Sequence, residues 1–226
     1  MSFPPRAQIR AVLLDLDGTL LDTGPDIASA ANRMLERIGR APIDEARVVD
    51  FVGKGVATLV HRVMAETGGE GDQHEAALAI FEAEYLAHVA DRSRPYPGVV
   101  AGLERLRAAR IGLACVTNKA ARFTRPLLAA TGLAPYFGAV VCGDDVARKK
   151  PEPDAFLEAA ARLGVTPAQS WVIGDSANDV KAARAAGCPV AVVPYGYREG
   201  LSLEALGAEA VVESVDAVAG WITMAA

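Results

Sequence analysis

The sequence has few cysteines, no excess of basic residues and no long hydrophobic run. Its three cysteines, Cys115, Cys142 and Cys188, are far apart and form no Cys-x-x-Cys pair, which predicts reduced, buried thiols rather than zinc or redox sites. The formal net charge of −5 indicates no basic surface for nucleic acid. No run approaches the roughly 18 apolar residues of a membrane span, and the first residues contain no apolar signal core. We expect a soluble, cytoplasmic protein that binds neither nucleic acid nor membrane.

Short apolar runs alternate with helical patterns along most of the chain. The runs are rich in valine, leucine and isoleucine, and they are apolar on both faces, which is typical of a parallel sheet covered by helices on both sides. With 226 residues, of which 51% are hydrophobic, the chain can bury one full core and a smaller second domain. The predicted strands lie at residues 11–14, 111–116, 139–142, 171–173, 189–193 and 210–212.

Residues 27–89 break this alternation, because they contain helical patterns and no convincing strand. Segments with glycine and proline flank them, at 18–25 and 91–98. We therefore expect an α/β fold with a Rossmann-like parallel sheet core flanked by helices, at residues 1–20 and 96–226, and an inserted all-helical domain at residues 21–95. The apolar stripe predicted for the first inserted helix consists of Ile27, Ala31, Met34, Leu35 and Ile38.

Polar side chains follow several of the predicted strands. Because parallel sheets bind ligands at the carboxyl ends of their strands, one edge would collect three carboxylates, a hydroxyl and a lysine. Adjacent carboxylates need a cation, and hard oxygen ligands suit Mg²⁺. A metal with a lysine and a hydroxyl in turn suits a phosphoryl group. The residues are Asp15 and Asp17 after the first strand, Thr117 and Asn118 after the second, Lys150 beyond the third and Asp175 after the fourth.

Four ordered motifs resemble those of the haloacid dehalogenase superfamily of phosphohydrolases. They are DLDGT at 15–19, TNK at 117–119, KPEPD at 150–154 and GDSAND at 174–179. The resemblance implies that the inserted helices form a cap domain over the core. It also implies Mg²⁺-dependent hydrolysis of a phosphomonoester through an aspartyl-phosphate. Longer segments around these motifs, together with YGYREG at 195–200, look closest to phosphoglycolate phosphatases, so 2-phosphoglycolate is the expected substrate.

The resemblance also implies roles for the aspartates. Asp15 would be the nucleophile, and Asp17 would protonate the leaving oxygen and then accept a proton from water. In an extended strand both side chains would point the same way, and the family turns sharply at Gly18. The Asp15 carboxylate, the Asp17 backbone carbonyl and the Asp175 carboxylate would bind Mg²⁺. Asp179, one helical turn after Asp175, would contact the metal ligands without binding the metal, or would simply be an acid favoured by the helix dipole.

The remaining site residues leave more alternatives open. Thr117 would bind a phosphate oxygen together with Asn118, although Thr117 is also placed to cap the following helix. Lys150 would neutralise charge on the nucleophile and the phosphate, and its position directly before proline favours it over Lys149. Lys54, between two glycines at the start of a helix, would meet the carboxylate of a small phosphorylated acid or be an ordinary exposed lysine.

Other functions remain possible with these motifs. Phosphatases for sugar phosphates or pyrophosphate and a phosphosugar mutase share them, although Thr19 counts against a mutase. A phospho-aspartate signalling module is disfavoured by the helical insertion and by the distribution of the acids along the chain. A catalytically silent binding protein is disfavoured because both Asp15 and Asp17 are present. We expect a monomer or a homodimer that binds a small phosphorylated substrate.

Overall fold

A computed structural model describes residues 8–68 and 73–224 of the chain. Residues 1–7 and 225–226 of the predicted core, and residues 69–72 of the predicted cap, lie outside these ranges. The first residues, whose sequence contains no apolar signal core, therefore lie largely outside the described residues. Within the described ranges, no helix combines the length and the apolar composition needed to cross a membrane.

Eight strands and ten helices are found in the described part of the chain. The strands are β1 Ala11–Leu14, β2 Leu21–Asp22, β3 Arg94–Pro95, β4 Gly112–Val116, β5 Ala139–Val141, β6 Ser170–Gly174, β7 Val190–Val192 and β8 Ala210–Val211. The helices are α1 Gly24–Arg37, α2 Glu45–Val49, α3 Val56–Glu66, α4 His74–Ala87, α5 Val99–Ala108, α6 Ala121–Ala130, α7 Asp154–Arg162, α8 Ala177–Ala186, α9 Leu203–Leu206 and α10 Val215–Thr223.

Six of the strands form one sheet in the order β5–β4–β1–β6–β7–β8, and all neighbours are parallel. The central strand is β1, from which the chain first builds outward to β5 and later builds outward to β8 on the other side. This reversal places a crevice at the carboxyl end of β1, where open parallel sheets bind ligands. The register pairs Leu14 with Cys115 and with Ile173, so the residues just after β1, β4 and β6 meet at the same edge.

The sheet is covered on both faces, which confirms the predicted α/β fold. Val12 and Leu14 face a core that contains residues of α5, α6 and α10, whereas Ala11 and Leu13 face a core that contains residues of α7 and α8. All four of these β1 side chains are fully buried. The three cysteines are buried and unpaired, as predicted.

The inserted region contains α1 to α4, and its two connections to the core pair with each other. Leu21 and Asp22 of β2 form an antiparallel ribbon with Arg94 and Pro95 of β3. The buried Asp26 carboxylate adds to this link by accepting from Ser93 N at 2.7 Å and from Ser93 Oγ at 2.6 Å. The predicted stripe on α1 is confirmed, since its first four members are buried and Ile38 packs against them.

The structure defines where α6 and α7 begin. Asp154 does not cap α7, because Pro153 holds the cap position and Asp154 lies in the first turn, where its carboxylate pairs with Arg148 at 2.7 Å. Thr117 does not cap α6, because that helix begins at Ala121. The Thr117 hydroxyl is therefore not used as a helix cap.

Candidate active site

The first strand delivers two aspartates to the carboxyl edge of the sheet. The N–H of Asp15 donates to Ile173 O of β6 at 3.0 Å, so Asp15 continues the strand by one residue. The chain then turns at Gly18, whose φ is 85°. A Cβ atom at Gly18 would lie 2.1 Å from Asp175 Oδ2, so only glycine lets the turn approach this carboxylate. The expected sharp turn is confirmed.

Lys150 joins the two sides of the crevice. Its Nζ atom donates to Asp15 Oδ1 at 2.7 Å, to Asp179 Oδ1 at 2.7 Å and to Val116 O at 2.8 Å. Burial alone would lower the pKa of Lys150, but the charges of the two aspartates outweigh it and raise the pKa, so the lysine stays cationic. All three ammonium donors are occupied. Lys149, the competing candidate, is exposed.

Asp175 and Asp179 reach the same point from the loop after β6 and from the first turn of α8. Asp175 Oδ1 accepts from Thr19 Oγ1 at 3.2 Å, and its Oδ2 accepts from Tyr197 N. Asp179 Oδ2 accepts from Ser176 Oγ at 2.6 Å in a reciprocal capping arrangement that starts α8. Since its Oδ1 is bound to Lys150, Asp179 holds the lysine and the helix start together, and it is a first-turn acid as well.

Three carboxylates form the centre of this cluster. Oxygens of Asp15, Asp175 and Asp179 lie within 4.8 Å of one another, and all three residues are buried. Burial and the neighbouring aspartates raise the pKa of Asp15 to about 7 against the opposing effect of Lys150. The same two causes, burial first, raise the pKa of Asp175 well above its usual value. One lysine does not balance three buried acids, so the cluster has the charge and the hard oxygen donors that a divalent cation requires.

Asp17 lies beside Asp15 but has different partners. Its Oδ1 accepts from Thr23 Oγ1 at 2.6 Å and forms an ion pair with Lys119 Nζ at 2.8 Å. The side chain of Lys119 is 5% exposed, and its ammonium lies 4.9 Å from the centroid of the Tyr85 ring, which belongs to α4 of the insertion. Burial would lower the pKa of Lys119, but the charge and hydrogen bond of Asp17, together with the contribution of Tyr85, outweigh it and raise the pKa, so Lys119 is cationic too.

Thr117 and Asn118 follow β4 and lie at the crevice, as expected. Thr117 Oγ1 accepts from Lys119 N at 3.1 Å. Asn118 Oδ1 accepts from Lys150 N at 2.9 Å, and its Nδ2 donates to Lys150 O at 2.9 Å and to Gly53 O at 3.0 Å. The Asn118 amide thus fixes the lysine loop and touches the insertion, with both of its donors in use. Contact of these two side chains with substrate stays a prediction.

Lys54 is turned toward another part of the chain. Its Nζ atom pairs with Glu199 Oε2 at 2.9 Å, and its side chain is 43% exposed. Arg62 reaches the same oxygen at 3.3 Å. Both residues belong to the inserted region, whereas Glu199 lies in the 195–200 segment of the core. The contact predicted between Lys54 and a substrate carboxylate stays a prediction, and the structure does not bring Lys54 to the aspartate cluster.

Two adjoining cavities lie between the sheet edge and the inserted helices. We call the first the acidic cavity; its lining includes Asp15, Asp17, Thr117, Lys150 and Asp175. We call the second the apolar cavity; it is lined by Ile27, Val52, Gly53, Gly55, Val56, Leu59, Phe81, Tyr85 and Lys119. The two share Val52 and Gly53, so a ligand with its phosphate in the first could extend into the second.

Sequence reasoning missed two residues at these cavities and left the role of a third, Tyr197, open. Lys119 was not singled out, although it ends the TNK motif. Asn178 lines the acidic cavity, and its buried Nδ2 has no hydrogen-bond partner in the described part of the chain; its place in the first turn after Asp175 could have signalled it. Tyr197 OH donates to Asp22 Oδ1 at 2.6 Å and accepts from Gly24 N at 2.7 Å, contacts that no sequence pattern indicates.

Comparison with known proteins defines the class to which this fold and this aspartate cluster belong. Residues 9–187 match the haloacid dehalogenase-like hydrolase family, and the chain belongs to that family. The predicted superfamily is therefore confirmed, and the protein is an enzyme of the hydrolase class.

Similar proteins narrow the comparison. The chain is 45% identical to a phosphoglycolate phosphatase of Thiobacillus denitrificans over 99% of both proteins. It is 46% identical to a plasmid phosphoglycolate phosphatase of Cupriavidus necator, over 95% of this chain and 94% of that protein. A crystal structure of a predicted phosphoglycolate phosphatase from Haemophilus somnus superimposes with a TM-score of 0.89 at 29% identity, covering 93% of this chain and 96% of that one.

Proposed function

We propose that this protein is a phosphomonoester hydrolase that converts 2-phosphoglycolate and water to glycolate and phosphate. The observation that carries the proposal is the placement of Asp15 at the carboxyl end of the sheet. It lies between Lys150, whose ammonium donates three hydrogen bonds, and an open cavity. The substrate is supported by near-full-length relatives named phosphoglycolate phosphatase.

In the first step Asp15 attacks phosphorus. The side-chain hydrogen bonds found to Asp15 in the described residues use Oδ1, which leaves Oδ2 to form the new P–O bond. The bond between phosphorus and the glycolate oxygen breaks, and Asp17 supplies the proton that this oxygen takes. In this step Asp17 is the carboxylic acid with its proton on Oδ2, since Oδ1 faces Thr23 and Lys119. Lys150 stays beside the nucleophile and offsets the negative charge that collects there.

In the second step a water attacks phosphorus of the aspartyl-phosphate. Asp17 now accepts a proton from that water, so the group that acted as an acid acts as a base. The P–O bond to Asp15 breaks, which frees phosphate and restores the carboxylate. Asp179 contributes indirectly, because it holds Lys150, whose Nζ atom lies 2.7 Å from Asp179 Oδ1.

The proposed cofactor is Mg²⁺. Buried carboxylates within 4.8 Å of one another fit a divalent cation, and Asp15, Asp175 and the backbone carbonyl of Asp17 are the proposed ligands. Asp15 and Asp175 line the acidic cavity and Asp179 does not, which supports a positioning role for Asp179 rather than ligation. When bound, the ion supplies positive charge that offsets the phosphate oxygens and the nucleophile.

Two further proposals concern the domain boundaries and the cellular location. Residues 21–95 form the cap over a core of residues 1–20 and 96–226, supported by the continuous run of helices from α1 to α4. A cytoplasmic location is supported by three buried, unpaired cysteines and by the lack of a spanning helix among the described residues.

The test is phosphate release with and without Mg²⁺ from 2-phosphoglycolate, several sugar phosphates, pyrophosphate and an aryl phosphate. We expect Mg²⁺-dependent turnover, with kcat/KM for phosphoglycolate about 100-fold above the others, which is about 2.7 kcal/mol of discrimination. A preference for a sugar phosphate would overturn the substrate and keep the reaction type. Absence of any Mg²⁺-stimulated release would overturn the function.

A further inference from the structure

We propose that Lys119 binds the carboxylate of the substrate and so selects short phosphorylated acids over other phosphomonoesters. The inference rests on the proposed function, because it assumes that phosphate occupies the acidic cavity above Asp15. It assigns the role predicted for Lys54 to a different lysine, one that lies inside the site.

Among the described residues that line the two cavities, two side chains are cationic, and they differ in what they have left to offer. The three ammonium donors of Lys150 all form hydrogen bonds, to Asp15, Asp179 and Val116 O. Lys119 forms one ion pair, with Asp17, and otherwise faces the ring of Tyr85. An ammonium has three donors, so Lys119 keeps at least one for a ligand even if the Tyr85 hydroxyl takes another.

The position of Lys119 matches the covalent structure of a phosphorylated 2-hydroxy acid. Asp17, the proposed proton donor, must lie within hydrogen-bond distance of the bridging oxygen, about 2.6–3.2 Å. The carboxylate carbon is only two bonds away from that oxygen. Since Lys119 Nζ lies 2.8 Å from Asp17 Oδ1, a carboxylate placed there falls within reach of the same ammonium.

The surroundings of Lys119 favour a carboxylate over sugar hydroxyls. Apart from Lys119 and the Tyr85 hydroxyl, the side chains that line the apolar cavity are hydrocarbon, including Leu59 and Phe81. Hydroxyls buried there would lose their hydrogen bonds to water without replacement, which is costly. A single carboxylate would gain a charge-assisted hydrogen bond to a cation that is already desolvated.

The test uses two nonhydrolysable ligands that differ only at the carboxylate. 3-Phosphonopropionate copies the length of phosphoglycolate with carbon in place of the bridging oxygen, and propylphosphonate has a methyl group where the acid was. We expect the wild-type protein with Mg²⁺ to bind the first at least about 30-fold more tightly in calorimetry, about 2 kcal/mol. Lys119→Met should reduce this ratio to within about 3-fold while the affinity for propylphosphonate stays within about 3-fold of wild type.

Three further variants make the result specific. Lys119→Arg keeps the charge and should keep part of the affinity ratio between the two ligands. This variant also replaces Lys119→Met in the test if Lys119→Met does not fold. Lys54→Met tests the competing lysine and should leave the ratio intact. Lys181→Met, at an exposed position on α8, is the matched control for removal of a lysine.

Several outcomes would overturn the proposal. The first is a wild-type protein that shows no preference for the carboxylated ligand, and the second is an affinity ratio that survives Lys119→Met. The third is an affinity ratio that Lys54→Met abolishes. The fourth is an equal loss of affinity for both ligands in Lys119→Met, which would mean that Lys119 only positions Asp17. Hydrolysis assays distinguish a failure of the Lys119 assignment from a failure of the proposed hydrolase function. Turnover without carboxylate preference refutes only the Lys119 assignment, whereas carboxylate-dependent binding without turnover refutes only the hydrolase.

Discussion

The acidic cavity and the apolar cavity meet at Val52 and Gly53, yet they are built in different ways. The acidic cavity takes its charged groups from the loops after β1, β5 and β6, and three of the four, Asp15, Asp17 and Lys150, pair with another charged group. The apolar cavity takes most of its wall from the inserted helices, and its one charged side chain among the described lining residues is Lys119.

Under the proposed function, this difference separates the residues that carry out the reaction from those that select the substrate. Groups at strand ends are held by the sheet register and by mutual ion pairs, so they can keep the geometry that bond making requires. Helices joined to the core by a short ribbon can change side chains, and thus ligand preference, without disturbing that geometry. If this division holds, changes in the acidic cavity should lower turnover for every substrate, and changes in the apolar cavity should alter which substrate is preferred.

The largest effect is expected from Asp15→Asn. The amide retains the shape of the carboxylate but is not a nucleophile, so kcat should fall by about 10⁴-fold or more for every phosphomonoester. Phosphate release under saturating substrate measures it, with Asp50→Asn, an exposed position, as the matched control. Retention of more than about 1% of wild-type turnover would remove Asp15 from the role of nucleophile.

A second prediction concerns Mg²⁺ and pH. Because the pKa of Asp15 is raised to about 7, the metal-free folded state loses stability as pH rises from about 4 to about 7, where this carboxyl ionises. A cation binds the ionised form, so its stabilising effect should grow over the same range. At 100 times Kd it should add about 2.7 kcal/mol, or several degrees in Tm, near pH 8.

Thermal melting of chelator-treated protein with and without Mg²⁺ checks this, at about pH 5.5 and about pH 8. We expect a clearly smaller shift at the lower pH. Asp175→Asn should abolish the Mg²⁺-induced shift in Tm at both pH values. A shift that is equal at both pH values, or that survives in Asp175→Asn, would show that the ion binds elsewhere.

The acidic cavity could be predicted from the sequence far better than the apolar one. Asp15, Thr117 and Asp175 each stand directly after an apolar strand, so the strand pattern alone places them at one edge. Lys150 required the motif as well, because it lies beyond β5 in a loop whose path no periodicity describes. The structure brings all four together at the acidic cavity.

The rest depends on side-chain directions that sequence spacing does not encode. Lys119 follows Asn118 in the same motif, but its pairing with Asp17 and Tyr85 appears only once α4 has packed on the core. Lys54 has the glycine neighbours of an anion site, yet its side chain turns to Glu199. The ribbon of β2 and β3 was not predicted, because strands of two residues are too short to show a period.

A third prediction uses the amide of Asn118, which bonds both backbone groups of Lys150 and also Gly53 O. Asn118→Ala removes this support, so Lys150 loses its fixed position and kcat should fall by about 10- to 100-fold for all substrates. Asn32→Ala is the matched control, because its amide likewise bonds both backbone groups of one residue, Ile43, at 2.9 Å.

Both variants should lose stability by about 1–3 kcal/mol, since each leaves partly buried backbone groups unpaired. Only Asn118→Ala should lose turnover. Chemical denaturation and steady-state kinetics measure the two quantities separately. Equal losses of kcat in both variants would mean that a general loss of stability, and not the position of Lys150, governs the rate.

The smallest effect is expected from Glu199→Gln, which removes the charge that Lys54 and Arg62 share at 2.9 and 3.3 Å. These side chains are partly exposed, so the loss of stability should stay below about 1 kcal/mol. Because the pairs connect the inserted helices to the core, KM should rise by a few-fold while kcat changes little. Glu84→Gln, which breaks the exposed pair with Arg37 within the insertion, should leave KM unchanged. A large fall in kcat for Glu199→Gln would contradict the division between the two cavities, since it would place part of the chemistry outside the sheet edge.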